Sequence, residues 1–146
     1  MGKGLSPEFQ KLLEERKIVK VRTDRKLVHK EISAARSDLK DAQESARIRK
    51  FKWSTIQGYY SMFHSARALL YHKGYREKSH YALLAALREL FLNEIERSLL
   101  QGFEHGMYLR QEADYGLKFS ESGALDVIEN AEKLLEKAIF ILRIRP

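Results

Sequence analysis

Residues 52–80 read KWSTIQGYYSMFHSARALLYHKGYREKSH, and the first two thirds of this stretch decide the fold. Trp53, Gln57, Tyr60, His64, Arg67 and Tyr71 recur at alternating steps of four and three. A helix at 100° per residue gathers these six hydrogen-bonding side chains within an arc of roughly 80°. Ile56, Tyr59, Phe63, Ala66 and Leu70 fill the neighbouring arc with apolar groups. Gly58, Ser61, Ser65 and Ala68 keep the far side small enough for another backbone to come close. Such a helix is packed on most sides, and a buried Arg, His or Tyr left without a partner costs about 1 to 3 kcal/mol or more. The stripe therefore either finds structural partners on neighbouring helices or lines a polar cleft or subunit seam.

Helical punctuation continues on both sides. Ser6-Pro7-Glu8 combines a capping hydroxyl, a first-turn proline and an acid at the positive end of the helix dipole, which predicts a short helix ending near Arg16. Thr23 or Asp24 can cap a longer helix with Val28, Ile32, Ala35, Leu39, Ala42 and Ala46 on its apolar face. The striped helix runs over residues 53–71, and Gly74 suits a left-handed stop. Ser79 caps the next, built on Leu83, Ala86, Leu87 and Leu90 and weakening near Asn93. A fifth helix spans residues 95–114, with Gly102 and Gly106 implying close packing or a bend and Gly116 ending it. The last starts near Ser120 or Ser122, turns Leu125, Ile128, Ala131, Leu135, Ala138, Ile139 and Leu142 inward, and ends in a basic tail over residues 143–146. No strand-like alternation or Asn-Gly hairpin signal is present. The reading is all-α: an antiparallel up-and-down bundle of four main helices plus one or two short helices, in a single domain over residues 1–146.

Composition narrows the function. With no cysteine there is no disulfide framework, thiolate zinc site or cysteine nucleophile. No run of some 18 apolar residues occurs, and MGKGLSPEF lacks the apolar middle of a signal peptide, so a cytoplasmic protein without a membrane partner is expected. The net charge of +7 is uneven: residues 1–52 hold 15 Lys and Arg against 8 Asp and Glu, and residues 53–146 hold 12 of each. That excess can draw an RNA backbone, a nucleotide or an acidic protein. Glu31, Asp38, Asp41 and Glu44, interleaved with it, equally describe a solvated helix face.

Few constellations carry chemistry. Of the five histidines, His29, His64, His72, His80 and His105, no two stand three or four apart, and neither an HExxH helix nor a glycine-rich phosphate loop is present. No metal site or cofactor is expected. The turn Lys73-Gly74-Tyr75-Arg76-Glu77-Lys78-Ser79-His80 places Arg76, Lys78 and His80 at a helix N-terminus, where free N–H groups and the dipole favour an anion, or else a capped, solvated turn. Near the end of the fifth helix, Arg110 and Asp114 stand four apart on one face, followed by Tyr115.

The run KWSTIQGYYSMFHSARALLYHKGYREKSH together with LRQEADYG, residues 109–116, resembles the HEPN domain superfamily (higher eukaryotes and prokaryotes nucleotide-binding), in particular its uncharacterised archaeal and bacterial single-domain members. An aromatic pair, Phe-His, Ala-Arg-Ala-Leu and a Gly-Tyr-x-x-Lys-Ser-His turn carry the likeness, which extends over about residues 8–142. It implies a helical bundle, usually a homodimer, often made beside a small nucleotidyltransferase called MNT in toxin–antitoxin or defence systems. Many such proteins are metal-independent ribonucleases that carry Arg, four to six residues, then His. Here the position of that arginine is Arg110, and the residue five later is Tyr115. Histidine suits proton transfer because it titrates near neutrality, whereas an unperturbed tyrosine keeps its proton until about pH 10.

The resemblance therefore implies a nucleotide-, RNA- or partner-binding module with a degenerate catalytic motif, using Arg110, Asp114, Tyr115 and the Arg67/His64 stripe. The alternative is a ribonuclease pairing Arg110 with Tyr115, or with His64 if the bundle brings the stripe against Arg110. Arg67 with His72 and Arg22 with His29 also match the spacing literally. The first pair points about 140° apart on one helix, and the second falls in a turn ahead of the bundle.

Overall fold

The structure, a computed structural model, describes residues 4–145. The start of the N-terminal segment and the last residue of the basic tail lie outside the described residues. In chain order the elements are α1 (Pro7–Glu14), β1 (Ile18–Lys20), α2 (Arg25–Arg47), α3 (Phe51–His72), β2 (Tyr75–Glu77), α4 (His80–Leu90), α5 (Arg97–Asp114) and α6 (Glu121–Leu142). The fold is predominantly α: α2, α3, α5 and α6 are the long helices of a bundle, and α1 and α4 are short. Among the described residues no helix is long and apolar enough to cross a membrane.

Local chemistry sets the helix starts. The side chains of Ser6, Asp24, Ser79 and Ser120 accept from the backbone N–H of Phe9, Lys26, Ala82 and Gly123, so Ser6 and Ser79 cap as read, while Asp24 rather than Thr23 and Ser120 rather than Ser122 cap the second and last helices. Gly74 ends α3 at φ +85°, as its lack of a Cβ allows. Three residues join α2 to α3, with Arg49 left-handed at φ 63°, so two helices of 23 and 22 residues double back and pack along their lengths.

Helix α3 is the hub, packed against α2, α4, α5, α6 and β2. Its small side is used as the sequence implies: Ser61 Oγ donates to the Ala35 carbonyl of α2 at 2.8 Å, and a Cβ on Gly58 would lie 2.9 Å from Val127 Cγ1 of α6. Gly102 lies against Asn130 and Gly106 against Met62, so both glycines of α5 mark close approach. Tyr59 and Phe103, both fully buried, stack at 5.8 Å in the middle of the core.

Four local features depart from the sequence reading. A two-stranded antiparallel ribbon exists, with Ile18 opposite Glu77, Val19 opposite Arg76 and Lys20 opposite Tyr75; three-residue strands are too short to display a period of two. Helix α5 begins at Arg97 rather than near residue 95. Its left-handed terminal residue is Leu117 at φ 55°, not Gly116, because the Lys118 N–H reaches back to the Glu112 carbonyl. Gly116 serves instead by closeness, since a Cβ there would sit 3.1 Å from that same carbonyl oxygen. Finally, Leu125 is 48% exposed, near the start of α6 and outside the core.

Candidate anion-binding site

Gly106, Arg110 and Ala113 recur at steps of four and three on α5, and all three are buried, so this spacing drives Arg110 into the face packed on α3. Its guanidinium carbon stands 5.3 Å from the centre of the Tyr59 ring, 5.7 Å from Tyr60 and 5.9 Å from Tyr115. The Asp114 carboxylate lies 3.9 Å from Nη1, beyond hydrogen-bond reach, and the buried Nε has no partner among the described residues. Arg110 is thus a buried cation with aromatic neighbours and too few acceptors. Tyr115, just past the helix end, is 77% exposed.

Tyr59 links this cation to the start of α4. Its hydroxyl is hydrogen-bonded to His80 Nδ1 at 2.5 Å, and burial raises its pKa, with the Arg110 charge opposing. The His80 ring packs 4.8 Å from Phe63 and 5.6 Å from Tyr59. Burial lowers the His80 pKa below its ordinary 6.5, and the Arg110 charge adds to the effect while Glu77 opposes it. The shift favours the neutral imidazole, whose Nδ1 is engaged by Tyr59.

Beside His80 the ribbon walls a cleft of about 550 Å³, lined in part by Val19, Phe63, Arg76, Lys78, Ser79 and His80. Arg76 and Lys78 are exposed, while Glu77 between them turns inward and is 3% exposed. Arg67 donates through Nε to Glu77 Oε2 at 3.0 Å and lies over the Phe63 ring at 4.5 Å. Glu77 Oε1 has no partner among the described residues. Larger hollows of about 640 and 900 Å³ open around Phe140 on α6. Lysines beside the smaller are matched by acids, Lys137 by Glu96 at 3.3 Å and Lys133 by Glu129 at 3.0 Å, and the larger sets its single cation, Arg143, beside Glu94 and Glu136, so these hollows offer an anion little.

The sequence stripe divides between its two readings. Gln57 is hydrogen-bonded to Ser45 of α2, and Arg67 is held by Glu77, so these side chains have structural partners. His64 is likewise not turned toward Arg110. Its Nδ1 lies 2.7 Å from Glu31 Oε1 and its Nε2 3.6 Å from Asp38 Oδ2, both on α2, where burial raises the Asp38 pKa. The acids interleaved in the basic first third thus capture His64, and the histidine joined to the Arg110 cluster is His80. Tyr60 is the stripe residue that meets Arg110. Of the literal matches to the arginine–histidine spacing, His72 is exposed while Arg67 is paired, and His29 lies exposed on α2 itself rather than ahead of the bundle.

Sequence reasoning missed Tyr59 and Glu77. Tyr59 sits in the apolar arc with nothing to distinguish its hydroxyl. Glu77 could have been found from the alternation Arg76-Glu77-Lys78, a lone acid between two cations where a strand would bury it.

Residues 28–144 match the HEPN domain. A UPF0332 protein from Archaeoglobus fulgidus is 29% identical over 113 residues, which span 73% of this chain and 88% of that one. The crystal structure of TT1696 from Thermus thermophilus superposes with a TM-score of 0.66 at 15% identity, covering 76% of this chain and 94% of the other, a likeness of fold. The chain belongs to the HEPN domain family.

Proposed function

We propose that this HEPN protein binds RNA or a nucleotide, with Arg110 as the phosphate anchor, and that it holds its ligand rather than cutting it. The observation that carries this reading is the state of Arg110: buried, stacked among tyrosines, and without a carboxylate in hydrogen-bond range. A guanidinium so placed matches a phosphate in charge and shape, since two parallel N–H bonds fit two phosphate oxygens. Tyr115, exposed beside it, contributes a hydroxyl donor where the ribonuclease motif carries histidine, the side chain suited to proton transfer. The homodimer and an MNT-type nucleotidyltransferase partner belong to the same proposal, and light scattering of the protein alone and with such a partner tests both.

One arrangement favours a second reading, a metal-independent endoribonuclease. His80, kept neutral by burial and joined through Tyr59 to the Arg110 cluster, supplies an imidazole that Tyr115 cannot replace. A single experiment separates the two. Purified protein is incubated with labelled RNA in EDTA beside Arg110→Ala and His80→Ala, and binding is followed by anisotropy. The binding reading expects intact RNA and an affinity lost in Arg110→Ala. Fragments that require both Arg110 and His80 establish the enzyme instead.

A further inference from the structure

We infer that the cleft between the ribbon and the N-terminus of α4 is a second phosphate subsite, so that the ligand is a single-stranded oligoribonucleotide held at two phosphates. This rests on the reading of Arg110 as the first anchor. Strand β2 points successive side chains to opposite faces, so Arg76 stays outside while Glu77 turns in, and Lys78, one residue past the strand, is exposed as well. Among the described residues neither Arg76 nor Lys78 has an ion-pair partner, in contrast to Arg67, whose charge is met by Glu77. The cleft therefore keeps two uncompensated positive charges after its one buried acid is satisfied on one side.

The floor of the cleft adds donors. Ser79 Oγ takes the Ala82 N–H, and among the described residues the N–H of His80, which lines the cleft at the positive end of an 11-residue helix, has no acceptor. Glu77, lining the same cleft, keeps Oε1 unpartnered although the residue is almost fully buried. That acceptor calls for a hydroxyl or a bridging water rather than another anion, which suits a ribose–phosphate chain better than bare phosphate.

Continuity joins the two subsites. His80 lines the cleft and also bonds Tyr59, against which Arg110 lies, so an anchor stands on each side of one imidazole. The partly exposed Tyr60 offers ring surface on which a base between the two phosphates can stack. Cations on either side of a stacking ring fit a single strand.

The test is fluorescence anisotropy with a labelled octaribonucleotide, and with labelled AMP, on wild type, Arg110→Ala and the double variant Arg76→Ala/Lys78→Ala. Both sites of the double variant are exposed and unpaired, and a circular dichroism melt checks that it folds. Expected is a loss of roughly tenfold or more in octanucleotide affinity in the double variant, the effect of a lost charged hydrogen bond. The slope of log affinity against log salt is expected to shrink by about one. AMP affinity is expected to stay as in wild type, whereas Arg110→Ala weakens both ligands. A double variant with wild-type affinity and salt slope overturns the second subsite alone. Wild type that binds no oligonucleotide, or binding indifferent to Arg110, overturns the underlying reading as well. Poly-glutamate competing as well as RNA overturns the inference in favour of an acidic protein partner.

Discussion

Replacing Arg110 with methionine separates a residue kept for its ligand from one kept for the fold. The lost interactions are the contacts of the guanidinium with Tyr59, Tyr60 and Tyr115, at 5.3, 5.7 and 5.9 Å, each contributing about 0.5–1 kcal/mol. The Asp114 carboxylate adds little, because it is partly exposed and 3.9 Å away. Against this, the substitution removes a buried Nε that has no partner, a defect costing about 1–3 kcal/mol, and leaves an unbranched apolar chain in the same space. These contributions nearly cancel. The expected change in unfolding free energy is within about 1 kcal/mol of zero, or within about 4 °C in Tm for a chain of this size. Urea titration followed by circular dichroism, with an unchanged m-value, measures it. Octaribonucleotide affinity is expected to collapse in the same variant. Destabilisation of about 3 kcal/mol or more is the mark of a broken buried ion pair and refutes the reasoning, as does RNA affinity that survives.

His64→Ala is expected to leave RNA affinity at the wild-type value, because Glu31 and Asp38 of α2 hold that ring; a loss matching that of His80→Ala in parallel anisotropy titrations contradicts the assignment. The His80 pKa is depressed in the folded state, so as pH falls through 6.5 the unfolded chain takes up the proton first. The stabilising contribution of His80 is thus complete above pH 6.5 and declines as pH drops toward its folded value; urea titrations between about pH 7.5 and 5 are expected to show a shallower decline in His80→Gln, and identical profiles reject the claim. Phosphate beside His80 favours the imidazolium, so RNA affinity is expected to rise from about pH 8 to about pH 6 in wild type and less so in His80→Gln. Gly58→Ala sets a methyl against the stiff Val127 side chain at 2.9 Å, and overpacking of about 1–3 kcal/mol outweighs the helix propensity gained, so its urea midpoint is expected to fall.

Much of the fold was legible because helices announce their ends. Ser6 and Ser79 cap as read, Asp24 and Ser120 are each one of the two caps the sequence offered, and Gly74, Gly102 and Gly106 occupy the positions their missing side chains imply. The site was legible only in part. Arg110 was visible as a family position, yet its burial follows from the inward face shared with Gly106 and Ala113, which competes with the surface pairing to Asp114 that the four-residue step suggests. The partners of His64 and Arg67 come from α2 and from β2, and periodicity along one helix carries no information about which acid a neighbouring element presents. The ribbon escaped because each strand is only three residues long.

That ribbon has a kinetic consequence. It joins the chain just before α2 to the chain just after α3, so the outer wall of the cleft forms only once the helical hairpin between them has folded back on itself. With three residue pairs and an exposed outer edge, it also belongs among the least protected parts of the molecule in amide exchange. Val19 and Arg76 should exchange faster than the amides of α3, and a bound strand that bridges the two subsites should slow them. Occupancy of the cleft can then be read without a label, from the backbone of two residues on its rim.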